Sequence, residues 1–435
     1  MSLAMAGPLA WLCAAPASAG TPAVTGPTAL NNEIADRLDG DLRPFYAARG
    51  YRPVWIGSDR KLDPAAAILL RKIEGARFDA IKEGKLKARS LRKVLGRATA
   101  GTPDDLAQAE VQLSETLATY VRLMRTAPHA AMLYESKALA PAVPTPAVVL
   151  DAATARSGLA VYIETMAWMH PFYAPMRDAL HDRRLSERQR SLVLRNLERI
   201  RALPATPADR YVLVDAASAR LWMYEQGQPV DTMRVVVGKP RTETPMMAGF
   251  LRYAIANPYW NVPGDLVQAT IANNVLDKGR GYLKKGGYQV LSDWSERPRV
   301  VDPKAVDWAA VAAGATQVRV RQLPGGPNFM GKVKFEFPNA QGIYLHDTPD
   351  KQLLREDARQ LSNGCVRLED ASRFGRWLLR KPLPRRLKNP EQRIDLPQLV
   401  PIYITYLTAM PENGKIAFRD DVYGRDAGGK LARSD

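Results

Sequence analysis

The stretch Leu203-Pro204-Ala205-Thr206-Pro207, followed by Tyr211-Val-Leu-Val-Asp215, marks a change of texture in the chain. Two prolines within five residues cannot continue a helix, and the run after them is rich in β-formers. Upstream, from about Asn31, the pattern is helical. Asp63-Pro64 reads as an N-cap with proline at N1, opening a helix over Ala65–Ile73. Thr102-Pro103-Asp104-Asp105 repeats the device, and behind it Leu106, Leu113, Leu117, Tyr120, Val121 and Met124 recur at helical spacing. A third helix is predicted near Glu187–Ile200, and the Pro-rich segment Ala140–Ala147 reads as a rigid connector. Downstream, Tyr211–Asp215, Leu221–Tyr224 and Val230–Val237 read as strands, with Glu225-Gln-Gly-Gln228 as a hairpin turn. Residues 258–335 carry more Gly, Pro and Trp and read as an insertion; Ala371, Phe374 and Leu378 mark a short late helix. The expected fold class is α+β, with a helical domain over residues 31–205 and a mainly β, sandwich-like domain over 206–427.

The 435 residues suffice for two or three domains, and 46% hydrophobic with 25% charged residues is ordinary for a globular chain. A formal net charge of +17 favours anionic partners, such as a carboxylate-rich wall polymer or a membrane surface. Residues 1–19 are apolar and end Ala17-Ser-Ala19, which predicts an export signal cleaved near Ala19 and a periplasmic mature protein. Residues 20–30 read as a flexible leader and 428–435 as a tail. Cys13 falls within the signal, so Cys365 is the only thiol expected in the mature chain, a reactive free cysteine in an oxidising compartment. His129, His170, His181 and His346 lack metal-ligand spacing and a single mature Cys rules out a Cys-based zinc site, so no metal is expected. Gly279–Gly287 lacks the ending of a phosphate loop and reads as a solvated loop. The basic run Arg380 to Lys388 is interleaved with prolines and reads as a surface face, not a nucleic-acid site.

The chemistry is carried by Gly342-Ile-Tyr344-Leu-His346-Asp347 and Leu361-Ser362-Asn363-Gly364-Cys365-Val-Arg367. A strand is expected to end at His346, and a Ser-Asn-Gly turn to present Cys365 just before a helix. A free thiol is only a few per cent ionised at neutral pH, so an imidazole must accept its proton. Gly364 allows backbone amides to converge as an oxyanion hole. Arg367, two residues on, is placed on the face of Cys365, where it can hold a carboxylate.

These residues resemble the signature of the YkuD-type L,D-transpeptidase catalytic domain: His, fifteen residues, then Ser-x-Gly-Cys-Val-Arg. Val235–Pro240 with Thr244-Pro245, Asn257–Pro263 and Phe45–Trp55 resemble the large YcbB-like branch, the last of these its helical scaffold. The resemblance implies Cys365 as nucleophile and His346 as base. It places the Asp347 carbonyl as orienter, the amides around Gly364 and Cys365 as oxyanion hole, and Tyr344, Ser362, Asn363 and Arg367 as site lining. It also implies that residues around Trp260 and Asn261 belong to a capping subdomain over the substrate. Many relatives carry a second His where this chain has Asn363. No room is left for a peptidoglycan-binding module, because Tyr173–Leu203 reads as one helical pattern. The implied partners are tetrapeptide stems of peptidoglycan, as acyl donor and acceptor, joined 3→3 through a thioester. An L,D-carboxypeptidase or a protein-anchoring enzyme would use the same residues; a basic, non-catalytic wall-binding scaffold is the alternative of another class.

Overall fold

A computed structural model describes residues 28–82, 84–99, 101–126, 130–155, 158–384 and 389–427. The expected export segment 1–19, most of the leader, His129, Arg385, Arg386, Lys388 and the tail from 428 lie outside them. Among the described residues no helix is long and apolar enough to cross a membrane.

The N-terminal region is helical, as predicted. Its central helix, Pro103–Arg125, is capped by Thr102, whose hydroxyl accepts from the Asp105 amide at 3.1 Å. Leu106, Leu113, Leu117, Tyr120, Val121 and Met124 are all fully buried, each large aliphatic contributing ~1.5–3 kcal/mol by leaving water. Buried Glu110 on this helix accepts from the Tyr46 hydroxyl at 2.6 Å and from the Val54 and Trp55 amides at 2.7 and 3.0 Å. That carboxylate explains why the Phe45–Trp55 stretch holds its shape: it satisfies two backbone donors that burial would otherwise leave unpaired. Three expectations are corrected. The first helix starts at Ala29, capped by Thr28, inside the expected leader. The connector ends at Thr145, which caps Pro146–Ala153. Tyr173–Leu203 forms two helices, Tyr173–Ala179 and Glu187–Arg201, because Ser186 and Gln189 make a capping box that restarts the chain.

Beyond Pro207 the chain is mostly β. The strands are β1 (Leu133–Tyr134), β2 (Arg210–Asp215), β3 (Arg220–Glu225), β4 (Gln228–Gly238), β5 (Met247–Ala256), β6 (Trp260–Val262), β7 (Tyr288–Leu291), β8 (Val300–Val301), β9 (Arg319–Gln322), β10 (Val333–Glu336), β11 (Leu345–His346), β12 (Gln360–Ser362), β13 (Val366–Leu368), β14 (Gln392–Thr405), β15 (Ala409–Glu412) and β16 (Lys415–Phe418). The β3–β4 turn falls at Gln226-Gly227, both at positive φ, as a tight hairpin requires. The path β5-β10-β11-β13-β4-β3-β2-β14 returns to β5, so the sheet closes on itself. Inside it pack Val212, Val214, Phe335, Leu345, Val366 and Ile402, with the helix Ala371–Leu379 closing the core through Phe374.

The two regions interleave. β1, from the helical region, pairs with β5. In return Leu407, Ala409 and Met410, on the approach to the β15–β16 hairpin and within it, are buried in the helical core. Asn196 and Thr408 exchange hydrogen bonds of 2.8 and 3.0 Å, and Arg199 pairs with Asp426 at 2.8 Å. The apolar face of the hairpin needs a partner, and the helix Glu187–Arg201 supplies it.

Residues 257–332 form a cap with its own four-stranded sheet, β6-β9-β7-β8, and its own small core. The insertion ends before 333, because Val333 and Phe335 are buried in the main sheet against β5. The expected loop 279–287 contains a short helix, Gly281–Gly286, held down by buried Leu283.

Candidate active site

β11 runs parallel to β13, pairing Leu345 with Val366 and His346 with Arg367; the Val366 amide donates to Tyr344 O at 3.1 Å. Because side chains alternate along strands, this register puts Tyr344, His346, Cys365 and Arg367 on one face. Leu345, Val366 and Leu368, on the other face, are fully buried in the core, where Phe335 meets Phe374 edge-to-face at 4.9 Å. The core therefore fixes the spacing of the polar face.

His346 is buried, and its Nδ1 lies 2.5 Å from the Asp347 carbonyl. A carbonyl only accepts, so Nδ1 carries the hydrogen and Nε2 is left as the basic nitrogen. Burial, and then the charge of Arg367, push the imidazole down to about 3, so it is neutral near pH 7. Cys365 is a free, half-buried thiol. Its Sγ donates to Gly342 O at 3.6 Å, and the β11–β13 register sets Tyr344 across from Cys365. Burial raises the thiol to about 11, although the neighbouring Tyr344 and Arg367 favour the thiolate. No hydrogen bond joins His346 to Cys365 among the described residues. They are diagonal neighbours across two strands, with the Tyr344 ring 5.8 Å from the imidazole.

Both groups are thus neutral at rest, which differs from a preformed thiolate–imidazolium pair. Alkylation of Cys365 by iodoacetamide is expected to accelerate about tenfold per pH unit between pH 6 and 9. A rate already level across neutral pH would contradict the neutral resting state.

The turn that carries Cys365 is braced from behind. Ser362 Oγ donates to Cys365 O at 2.7 Å and accepts from the Gly364 amide at 3.1 Å. Thr244, fully buried, donates to Gly364 O at 2.6 Å and accepts from the Gly238 amide at 2.9 Å. The Tyr423 hydroxyl donates to Gly238 O at 2.6 Å. A Cβ on Gly238 would lie 2.1 Å from Thr242 O, so only glycine fits there; Gly364, at φ +118°, adopts a conformation that side chains disfavour. Thr244→Val keeps the shape but strands a buried amide and a buried carbonyl, each costing ~1–3 kcal/mol. A fall in chemical stability of that order is the expected result, and a wild-type denaturation midpoint would show that Thr244 is dispensable to the brace.

Several expected site residues take different parts. Ser362 is buried and engaged with the turn, so it holds the backbone and does not face substrate. The Gly364 amide is occupied by Ser362, whereas the Cys365 amide has no protein partner among the described residues. Asn363 is exposed at the tip of the turn. Arg367 is half-buried, and no ion pair or hydrogen bond engages it among the described residues. Trp260 packs on Phe329 in the cap at 5.0 Å, and neither it nor Asn261 makes a ring contact or hydrogen bond with the pair. Cys365 is followed by a strand, not a helix: Val366-Arg-Leu368 pairs with β4 and β11, and the helix waits until Asp370 caps Ala371. The Asp347 carbonyl faces the His346 ring, and the Tyr344 ring lies beside that imidazole. Thr244, Gly238 and Tyr423 had no local chemical signal as braces; only the fold brings Tyr423 beside Gly238. Lys334 and Glu336, paired at 3.1 Å on β10, also face the site, since Lys334 stands opposite His346.

A closed β sheet with a helical region in front of it, bearing a thiol and an imidazole on adjacent parallel strands, defines the class. Residues 209–387 match the L,D-transpeptidase catalytic domain family (YkuD), and residues 40–180 match the scaffold domain family. The chain carries a YkuD-type L,D-transpeptidase catalytic domain behind an N-terminal scaffold domain, the YcbB-like architecture. It is 30% identical over 242 residues to a Haemophilus influenzae protein that carries the provisional name L,D-transpeptidase, covering 53% of this chain and 47% of that one. The chain thus spans about half the length of this curated relative. Two solved structures share local similarity: an L,D-transpeptidase from Mycobacterium smegmatis (11% identity, TM-score 0.24, 46% of this chain and 59% of that one) and a cysteine-to-serine mutant of the Enterococcus faecium L,D-transpeptidase (13%, 0.23, 46% and 52%).

Proposed function

We propose that this protein is a peptidoglycan L,D-transpeptidase that forms 3→3 cross-links through a thioester on Cys365. The observation that carries the reading is the free thiol placed, by strand register, beside a neutral imidazole whose tautomer the Asp347 carbonyl sets. The thiol proton passes to His346 Nε2 as sulfur attacks the carbonyl of the third stem residue. The Cys365 amide and the Tyr344 hydroxyl stand nearest the developing charge. The C–N bond to the terminal D-alanine breaks, and that amine leaves with the proton from His346. An amine of a second stem then attacks the thioester, releasing the thiol. Splitting one amide exchange into two acyl transfers lowers each barrier. No metal or organic cofactor enters this scheme. The reading places the protein in the periplasm, with its positive charge toward the anionic wall.

Mass spectrometry of purified muropeptides incubated with the protein tests this. Dimers joined 3→3 are the expected product. Trimmed tripeptides alone would instead mark a carboxypeptidase, and transfer to a protein lysine an anchoring enzyme. No reaction at all would leave only a wall-binding scaffold.

The Arg367 guanidinium makes no ion pair or hydrogen bond among the described residues, and it is proposed to hold a stem carboxylate by paired hydrogen bonds, each worth ~1.5–3 kcal/mol. Arg367→Lys keeps the charge and loses the planar fork. A fall in kcat/KM of about ten- to a hundredfold is expected, with an unchanged melting midpoint. Activity and melting both equal to wild type would remove Arg367 from substrate binding, and a drop in both would make it a brace.

A further inference from the structure

The cap contains a pocket of about 630 Å³ that shares no residue with the Cys365 face. That volume lies within the ~300–1,000 Å³ range of small-ligand sites. Its floor is apolar: Val262, Val267 and Val311 are buried members of the cap core. Its walls are uncharged polar groups, among them the carboxamides of Gln268, Gln317 and Asn261, the last a residue the resemblance sets over the substrate. At the mouth stands Trp294, 47% exposed, with no aromatic ring stacked on it among the described residues. Gln268 is held in place: it donates to Ala312 O at 3.4 Å, and a Cβ on Gly314, at φ +78°, would lie 2.8 Å from its Nε2. Only Asp265 and Arg319 bring charge to the lining, one of each sign. In a protein of net charge +17, a pocket balanced to neutrality is suited to a neutral ligand, not to an anionic stem.

We propose that this pocket binds an N-acetylated amino sugar of a β-linked glycan. A pyranose presents a flat face of C–H groups that stacks on an indole, and its hydroxyls suit planar carboxamides, which both donate and accept. The acetamido methyl would enter the valine floor, where its burial is favourable. The inference rests on the transpeptidase reading for the identity of the ligand, since the stems of peptidoglycan are carried on such a glycan. The cap would then hold the sugar strand while the Cys365 face works on the peptide.

The test is calorimetric titration of the full chain with the β-1,4-linked tetramer of N-acetylglucosamine, which carries no peptide. Maltotetraose, which lacks the acetamido group, is the comparison sugar. The amino-sugar tetramer is expected to bind wild type and Cys365→Ala alike, and Trp294→Ala to weaken it about tenfold or more. Trp294→Phe should retain part of the affinity, and Gln317→Ala should weaken binding with the melting midpoint unchanged. Absence of binding to wild type, wild-type affinity in Trp294→Ala, or equal affinity for maltotetraose would each overturn the proposal. Failure here is separable from failure of the transpeptidase reading. Cross-linking without sugar binding removes only the glycan site; Trp294-dependent sugar binding without cross-linking removes only the reaction.

Discussion

Cys365→Ala is expected to lower cross-linking by about 10⁴-fold or more, the scale on which removing a covalent nucleophile acts. The thiol is half-buried and among the described residues its Sγ has one long hydrogen bond, to Gly342 O at 3.6 Å. Alanine removes a single heavy atom, so the melting midpoint should move little. The bonds that shape the turn run through Ser362 and Thr244 and do not involve the sulfur. A carbapenem, a strained acyl donor, should add once to the wild type and not to the variant, as read by intact mass. Activity within tenfold of wild type, or an adduct on another residue, would remove Cys365 from the mechanism.

His346→Gln is expected to cost about 10²–10⁴-fold at pH 7, the usual contribution of a positioned base. The glutamine amide can still donate to the Asp347 carbonyl, so the loss reports the missing basic Nε2 and not a collapsed strand. The sign of the pH dependence follows from the two shifts. Burial holds the thiol near 11 and the imidazole near 3, so between those values the wild type has a neutral base ready and a thiol that needs one. As pH rises toward 11 the thiolate forms unaided, and the defect of His346→Gln should shrink. A defect of constant size from pH 7 to 10.5 would contradict the role of His346 as base, and full activity at pH 7 would end it.

The helical region was readable because its signals are local. Thr102-Pro103 with its acidic first turn, and the spacing of Leu106, Leu113 and Leu117, act within one helix. The hairpin at Gln226-Gly227 is likewise set by residues able to take positive φ. His346, Cys365 and Arg367 were legible as candidates, because residue type and short spacing carry their chemistry; the Asp347 carbonyl came only from the resemblance to a family. The helix expected directly after Cys365 failed for a stated reason. Val366-Arg-Leu368 is too short to show which period it follows, and two waiting strands, β4 and β11, claim its backbone. Ser362 was misplaced because a hydroxyl beside a nucleophile can face substrate or backbone, and sequence spacing does not distinguish the two.

The sequence by itself determined the two-part architecture and displayed His346 and Cys365 in a recognisable motif. Helix caps, strand texture and the motif are carried by near neighbours, whose geometry the chain imposes directly. Only the tertiary structure decided the rest. It closed the sheet through β5 and β14, buried the β15–β16 hairpin in the helical core, and set Tyr423 and Thr244 behind the turn that carries Cys365. It also paired β11 with β13, which brings His346 and Cys365 to one face and sets Tyr344 across from Cys365. These outcomes depend on strand register and on competition among distant segments for the same buried surface, and a residue's type carries no record of which distant partner wins.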